Sequence, residues 1–216
     1  MNILVTSERA GVEIDSREAL ILNEVNKLIY TYGLNRVIRC EQKREEVHQT
    51  QSVAEHVTNI IICAYHFRDI EDPDHKIDFD TLVKLVVMHD MGEIETGDIV
   101  TNKKTQVHFE LEAEAIKQVA KKSPDFIKRE IESNFHRFEN PTTLEERFAK
   151  AMDKFEGLSF WFTDEGIRMI KTISSNEVIT KYFERLEHSI EKLGFPGVLE
   201  YIRVMKKDLI KRGLLA

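Results

Sequence analysis

The string Leu85-Val86-Val87-Met88-His89-Asp90-Met91-Gly92-Glu93-Ile94-Glu95-Thr96-Gly97-Asp98 carries the densest chemistry of this 216-residue chain. An apolar run delivers a His-Asp pair, and Glu93, Glu95 and Asp98 follow as further oxygen donors. Adjacent residues on a helix point about 100° apart, so an ion reached by both His89 and Asp90 must lie in a groove between helices. Glu93 follows one turn later on the same face. Asp98 falls past Gly97, in a loop able to fold back over that groove. Two other residues sit oddly for plain core. His56 lies in the first turns of an apolar helix (Ser52-Val53-Ala54-Glu55-His56-Val57), and Asp153 lies among Phe148, Ala149, Ala151, Met152 and Phe155. A buried carboxylate without a partner is costly or titrates to its neutral form, and one shared cation resolves both placements. Two imidazoles and two carboxylates with no thiolate suit one borderline or hard divalent ion: Mn, Co, Fe, Ni, Zn or Mg.

The elements that must position these residues are helical, because the apolar period is helical almost everywhere. Asp15 or Ser16, with Glu18, predicts a helix start, followed by a stripe of Ala19, Leu22, Val25, Ile29 and Tyr32 that ends at Gly33. Residues 34–50 read as an extended connection. Ser52 caps the next helix, and Asp80 is expected to begin the one that ends at His89-Asp90. Further helices are expected at about 107–121, 124–137, 142–162 and 176–193, and Pro196-Gly197 opens a last one. No strand pattern, internal repeat or low-complexity tract stands out. The expected fold is one all-α domain over 1–216, with a core at about 18–195 and a C-terminal helix at about 197–213 packed on it.

The order His … His-Asp … Asp on helices resembles the HD-domain phosphohydrolases. Within them the chain is most similar to the 5′-deoxynucleotidase branch, which includes small HD-domain proteins. The matching strings are Leu34-Asn35-Arg36-Val37, Ser52-Val53-Ala54-Glu55-His56, His89-Asp90-Met91-Gly92-Glu93 through Gly97-Asp98, and Ala151-Met152-Asp153-Lys154. The resemblance covers roughly residues 18–195. It implies a bundle of roughly seven to nine helices around one metal site. It implies His56, His89, Asp90 and Asp153 as ligands to one divalent ion, and Glu93 as the acid beside the attacking water and leaving group. It also implies Arg36 as the phosphate contact and Asp98 as the reader of the sugar 3′-hydroxyl. Val37-Ile38 stands where the branch often has an aromatic residue after the arginine, which bears on the preference for deoxy sugars. Arg39 is a second candidate for the phosphate.

The chemistry of those types agrees. A bound divalent ion lowers the pKa of a water from about 15.7 to near 7. A guanidinium matches phosphate in a forked geometry. The expected reaction is hydrolysis of a nucleoside 5′-monophosphate to nucleoside and phosphate. The rival readings are an HD hydrolase of another nucleotide (alarmone, dNTP or cyclic nucleotide) and a non-catalytic nucleotide-sensing module. Against a cyclic dinucleotide, Met-Gly-Glu rather than Ile-Gly-Lys follows His-Asp; against an alarmone, the Glu-Asp pair expected shortly after His-Asp is missing.

With 31 basic and 38 acidic residues, the net charge of −7 argues against a nucleic-acid polymer as partner. No apolar run approaches the roughly 20 residues of a membrane span. Met1–Ala10 carries no secretory pattern, and Cys40 and Cys63 form no redox motif, so a cytoplasmic protein with reduced thiols is expected. A homodimer is implied by the resemblance. His48, His66, His75, His108, His136 and His188 read as surface or structural. The run Glu71-Asp72-Pro73-Asp74 reads as a solvated loop, and Phe155, Phe160, Trp161 and Phe162 as core or dimer face.

Overall fold

The computed structural model describes residues 23, 26, 27, 29–39, 51–99, 105–173 and 176–215. The expected helix start at Asp15, Ser16 and Glu18 lies outside these residues, as do Cys40 and His48. Residues 29–31 are helical and pass into a 3-10 turn at Tyr32–Asn35. Part of the expected extended connection is therefore tightly wound. Among the described residues there is no strand beyond the isolated bridge Ile38–Ser52.

Among the described residues nine α-helices follow: α1 Val53–Glu71, α2 Phe79–Met88, α3 Glu93–Thr96, α4 Gln106–Lys122, α5 Asp125–Glu139, α6 Leu144–Ser159, α7 Asp164–Ile173, α8 Asn176–Leu193 and α9 Pro196–Lys211. Local chemistry sets their ends. Ser52 Oγ accepts from Glu55 N at 3.2 Å while Ser52 N donates back to Glu55 Oε2 at 2.6 Å, a capping box that starts α1. Thr143 and Glu146 repeat the device at α6. Helix α2 begins one residue before the expected Asp80. Asp78 is its cap, taking Asp80 N at 3.1 Å and Thr81 Oγ1 at 2.7 Å.

Two expectations are corrected. The helix expected over 142–162 ends at Ser159, and Phe160–Phe162 tighten into a 3-10 turn that stacks Trp161 on Tyr182 at 4.5 Å. Helix α7 then starts directly, with Thr163 Oγ1 accepting from Gly166 N at 3.1 Å. A Cβ at Gly166 would lie 2.0 Å from Phe160 O, so only glycine lets α7 fold back this closely. The acidic run is likewise not wholly solvated. Asp72 is buried and accepts from Lys76 N and Ile77 N, while Glu71 Oε1 accepts from Val198 N at 2.7 Å. Glu71 thus satisfies a backbone donor that the first turn of α9 leaves open.

Helix α6 is the central element, packed against α1, α2, α5, α8 and α9. The apolar side chains form two clusters. The larger includes Phe67, Leu85, Phe148, Met152, Phe183 and Ile202; the smaller includes Leu34, Val53, Met91, Ile116, Val119 and Ile131. His56 lies in sequence between Val53 of the small cluster and Val57 of the large one. His89 lies between Val86 of the large cluster and Met91 of the small one. The polar side chains gather at the seam.

Candidate metal centre

Helix α1 supplies His56, the C-terminal end of α2 supplies His89 and Asp90, and α6 supplies Asp153. The capping box fixes the first turn of α1 and so the direction of His56, which is wholly buried. The ring of His89 packs on Phe138 of α5 with centroids 4.3 Å apart. His56 Nε2 is 3.2 Å from Asp153 Oδ1 and 3.8 Å from Asp90 Oδ2. His89 Nε2 is 3.0 Å from Asp90 Oδ2 and 3.9 Å from Asp153 Oδ1. Ligating atoms of His56, His89 and Asp90 all lie within 4.8 Å of one another. The histidine side chains are 0% and 3% exposed and those of Asp90 and Asp153 22% and 25%, so the cluster opens to solvent on its carboxylate side.

The hydrogen bonds say what these atoms are prepared for. His89 Nδ1 lies 2.7 Å from the Val86 carbonyl, which can only accept, so Nδ1 carries the proton. In the neutral ring this leaves a lone pair on Nε2. That atom is buried with no hydrogen bond, although a carboxylate oxygen is 3.0 Å away. Two lone pairs at such a distance repel unless a cation lies between them. His56 is held alike, its Nδ1 hydrogen-bonded to the Glu156 carboxylate and its Nε2 turned to the cluster. A proton can hold the cation's place at His56. Burial and Arg39 push its pKa down, but hydrogen bonds to Asp153 and Glu156 outweigh them and raise it to about 9. Burial opposes the charge of Asp90 and Asp153, yet the adjoining imidazoles, when their rings are charged, hold both carboxylates below the usual range, with Lys150 adding to the effect at Asp153. The donor set, two imidazoles and two carboxylates, fits a divalent ion.

The remaining expected residues are placed differently. Glu93 opens α3 and is buried, its backbone N–H on Asp90 O at 3.0 Å. Asp98 is half-buried just after Gly97, whose φ of 72° turns the chain out of α3. Arg36 is exposed, and no described contact ties its side chain to the cluster. Arg39 sits beside the other edge of His56: its Nη1 is 2.8 Å from Nδ1, 3.0 Å from Gln51 Oε1 and 3.1 Å from Glu156 Oε2. Sequence reasoning missed Glu156. Its spacing of three from Asp153 puts both on one face of α6, and that was the signal available.

A cavity of about 590 Å³ lies to one side, lined by Asn35, Gln51, Ala54, Thr58, Asn59 and Phe160 among others. None of the four converging residues lines it, but Gln51 and Asn59 both touch Glu156. The other described histidines do not join the centre. His66 packs on Phe67 and Tyr201, and His108 helps cap α4. Burial and the Glu156 charge push the Cys63 thiol up to about 12, so it is protonated at neutral pH.

A model of the HD domain matches residues 33–193. The chain belongs to the HD domain family. Among curated proteins, this HD-domain chain is 27% identical over 125 residues to the 5′-deoxynucleotidase HDDC2 of Homo sapiens, covering 57% of this chain and 59% of that one. The Mus musculus protein of that name is also 27% identical over 125 residues, covering 57% and 60%. The chain thus spans less than two thirds of the length of these relatives. Among solved structures it is similar to one described as a predicted metal-dependent phosphohydrolase from Magnetospirillum magnetotacticum. The TM-score is 0.76 at 21% identity, covering 94% of this chain and all of that one. A conserved hypothetical protein from Pyrococcus furiosus gives a TM-score of 0.62 at 20% identity, covering 85% and 99%. The first of these likenesses shows that one shared fold extends over 94% of this chain. No described helix is long and apolar enough to cross a membrane.

Proposed function

We propose that this HD-domain protein is a metal-dependent phosphomonoesterase that hydrolyses nucleoside 5′-monophosphates, deoxynucleotides among them, to nucleoside and phosphate. The observation that carries the reading is the buried, unbonded Nε2 of His89 beside a carboxylate oxygen, with His56 and Asp153 converging on the same point. The 5′-deoxynucleotidase relatives support the substrate class. His56, His89, Asp90 and Asp153 would hold the ion. When bound, a divalent ion supplies Lewis-acid polarisation of a phosphoryl oxygen and an acidified water.

The chain's own residues do the rest. The Val86 carbonyl and the Glu156 carboxylate fix both imidazoles in one tautomer, so their Nε2 atoms stay available as donors of electron pairs. Glu93, buried one turn past the His-Asp pair, passes a proton to the departing 5′-oxygen. Arg36, an exposed fork at the end of the 3-10 turn, meets the phosphate, and Asp98 accepts a hydrogen bond from a sugar hydroxyl. Arg39 already donates to Gln51 and Glu156, which favours Arg36 for the phosphate. The proposal extends to a homodimeric, cytoplasmic enzyme, with sedimentation as the check on its assembly.

The test is phosphate release from matched deoxy- and ribonucleoside monophosphates, with nucleoside triphosphates and cyclic nucleotides alongside, under Mn²⁺ or Co²⁺ and with chelator. Release from the monophosphates that chelator abolishes is expected. A chain that binds metal yet releases phosphate from none of them would end the nucleotidase reading.

A further inference from the structure

Four hydrogen-bond donors converge on the Glu156 carboxylate, one turn along α6 from Asp153. His56 Nδ1 and Arg39 Nη1 (3.1 Å) approach Oε2, while Gln51 Nε2 and Asn59 Nδ2 (3.3 Å) approach Oε1. The side chain is 3% exposed. Glu156 is not placed as a ligand, because it meets the imidazole at Nδ1 while Nε2 faces the cluster. A carboxylate there does what a neutral partner does less well. It holds the proton on Nδ1, fixes the ring's rotation and raises the basicity of the opposite nitrogen. The carboxylate is itself pinned from three sides, so it cannot swing away from the ring. Arg39 balances its charge, and Gln51 and Asn59 fix its plane.

We propose that Glu156 is the positioning residue of the metal centre, orienting His56 for the ion, and that Gln51 and Arg39 act through it. This rests on the metal-centre reading above. Glutamine in its place would replace one acceptor oxygen with an NH₂ group among four converging donors. Whichever oxygen is replaced, two donors would lose their partner, and the imidazole would lose its anionic anchor.

The experiment is calorimetric titration of the metal-free full-length chain with MnCl₂, together with the visible spectrum of the Co²⁺ form. Glu156→Gln is expected to weaken Mn²⁺ binding by about 10- to 100-fold and to shift the Co²⁺ bands. Glu146→Gln, which removes a comparably buried carboxylate from the same helix away from the cluster, is expected to do neither. A folded Glu156→Gln chain with wild-type affinity and spectrum overturns the proposal. If that variant does not fold, Gln51→Ala is read instead: weakened binding supports the proposal, and wild-type affinity overturns it. Wild-type protein that takes up no Mn²⁺, or His89→Ala protein that binds it as well as wild type, overturns the metal centre itself and the role of Glu156 with it.

Discussion

At the scale of single residues, the centre is a matter of which imidazole nitrogen is left with its lone pair. Val86 and Glu156 occupy the Nδ1 atoms of His89 and His56, and both Nε2 atoms face two carboxylates. Removing one of these donors should therefore act on metal affinity more than on folding. His89→Ala and Asp153→Asn are each expected to abolish detectable Mn²⁺ binding by calorimetry and phosphate release with it, while leaving the far-UV circular dichroism of the helices in place. Retained turnover in either variant would mean that the centre is misassigned. His89 and Asp90 were legible as a His-Asp pair delivered by an apolar run, and His56 and Asp153 by their placement among apolar helix positions and by the family's order. Glu156 was not read, because glutamate is an ordinary helix-surface residue; only its spacing of three from Asp153 pointed inward. Arg39 was legible as a cation near the site, but its engagement with Gln51 and Glu156 is a product of tertiary packing.

Helix ends decide much at the scale of elements. Glu146 closes the capping box of α6, accepts from Thr142 N at 2.8 Å and Thr143 N at 3.0 Å, and bonds Arg137 Nε at 2.7 Å. Burial raises its pKa, but those backbone bonds and Arg137 outweigh it and hold the group down at about 2, below the ordinary value of 4.5. A depressed carboxylate stabilises the fold above its unfolded pKa, and that contribution fades as pH falls from about 4.5 toward 2. Glu146→Gln is expected to lower stability at neutral pH by about 0.5–2 kcal/mol, the usual worth of a cap, and to flatten the acid limb of a plot of Tm against pH. An unchanged acid limb would show that the ion pair with Arg137 is idle. Helix starts at Ser52 and Pro196 were readable because caps and prolines are local signals. Helix α7 was not, since it depends on Gly166 fitting against the Phe160 carbonyl, a contact of the folded backbone.

For the whole molecule, the proposed ligands come from three helices, so an ion that binds only the folded chain stabilises the entire bundle. Mn²⁺ at 100 times its Kd is expected to add about 2.7 kcal/mol of stability, seen as a rise in Tm that chelator reverses. Phe148→Ala, in the core of the large cluster, should cost about 3–5 kcal/mol by urea unfolding whether or not metal is present. If the metal left Tm where it was, the centre would not be coupled to the fold.

The polar seam between the two apolar clusters has a bearing on motion. His56 and His89 each lie along the chain between a residue of one cluster and a residue of the other. An ion gripped there works as a rivet through two plates. Its uptake would slow amide exchange together in the first turns of α1, the end of α2 and the latter half of α6.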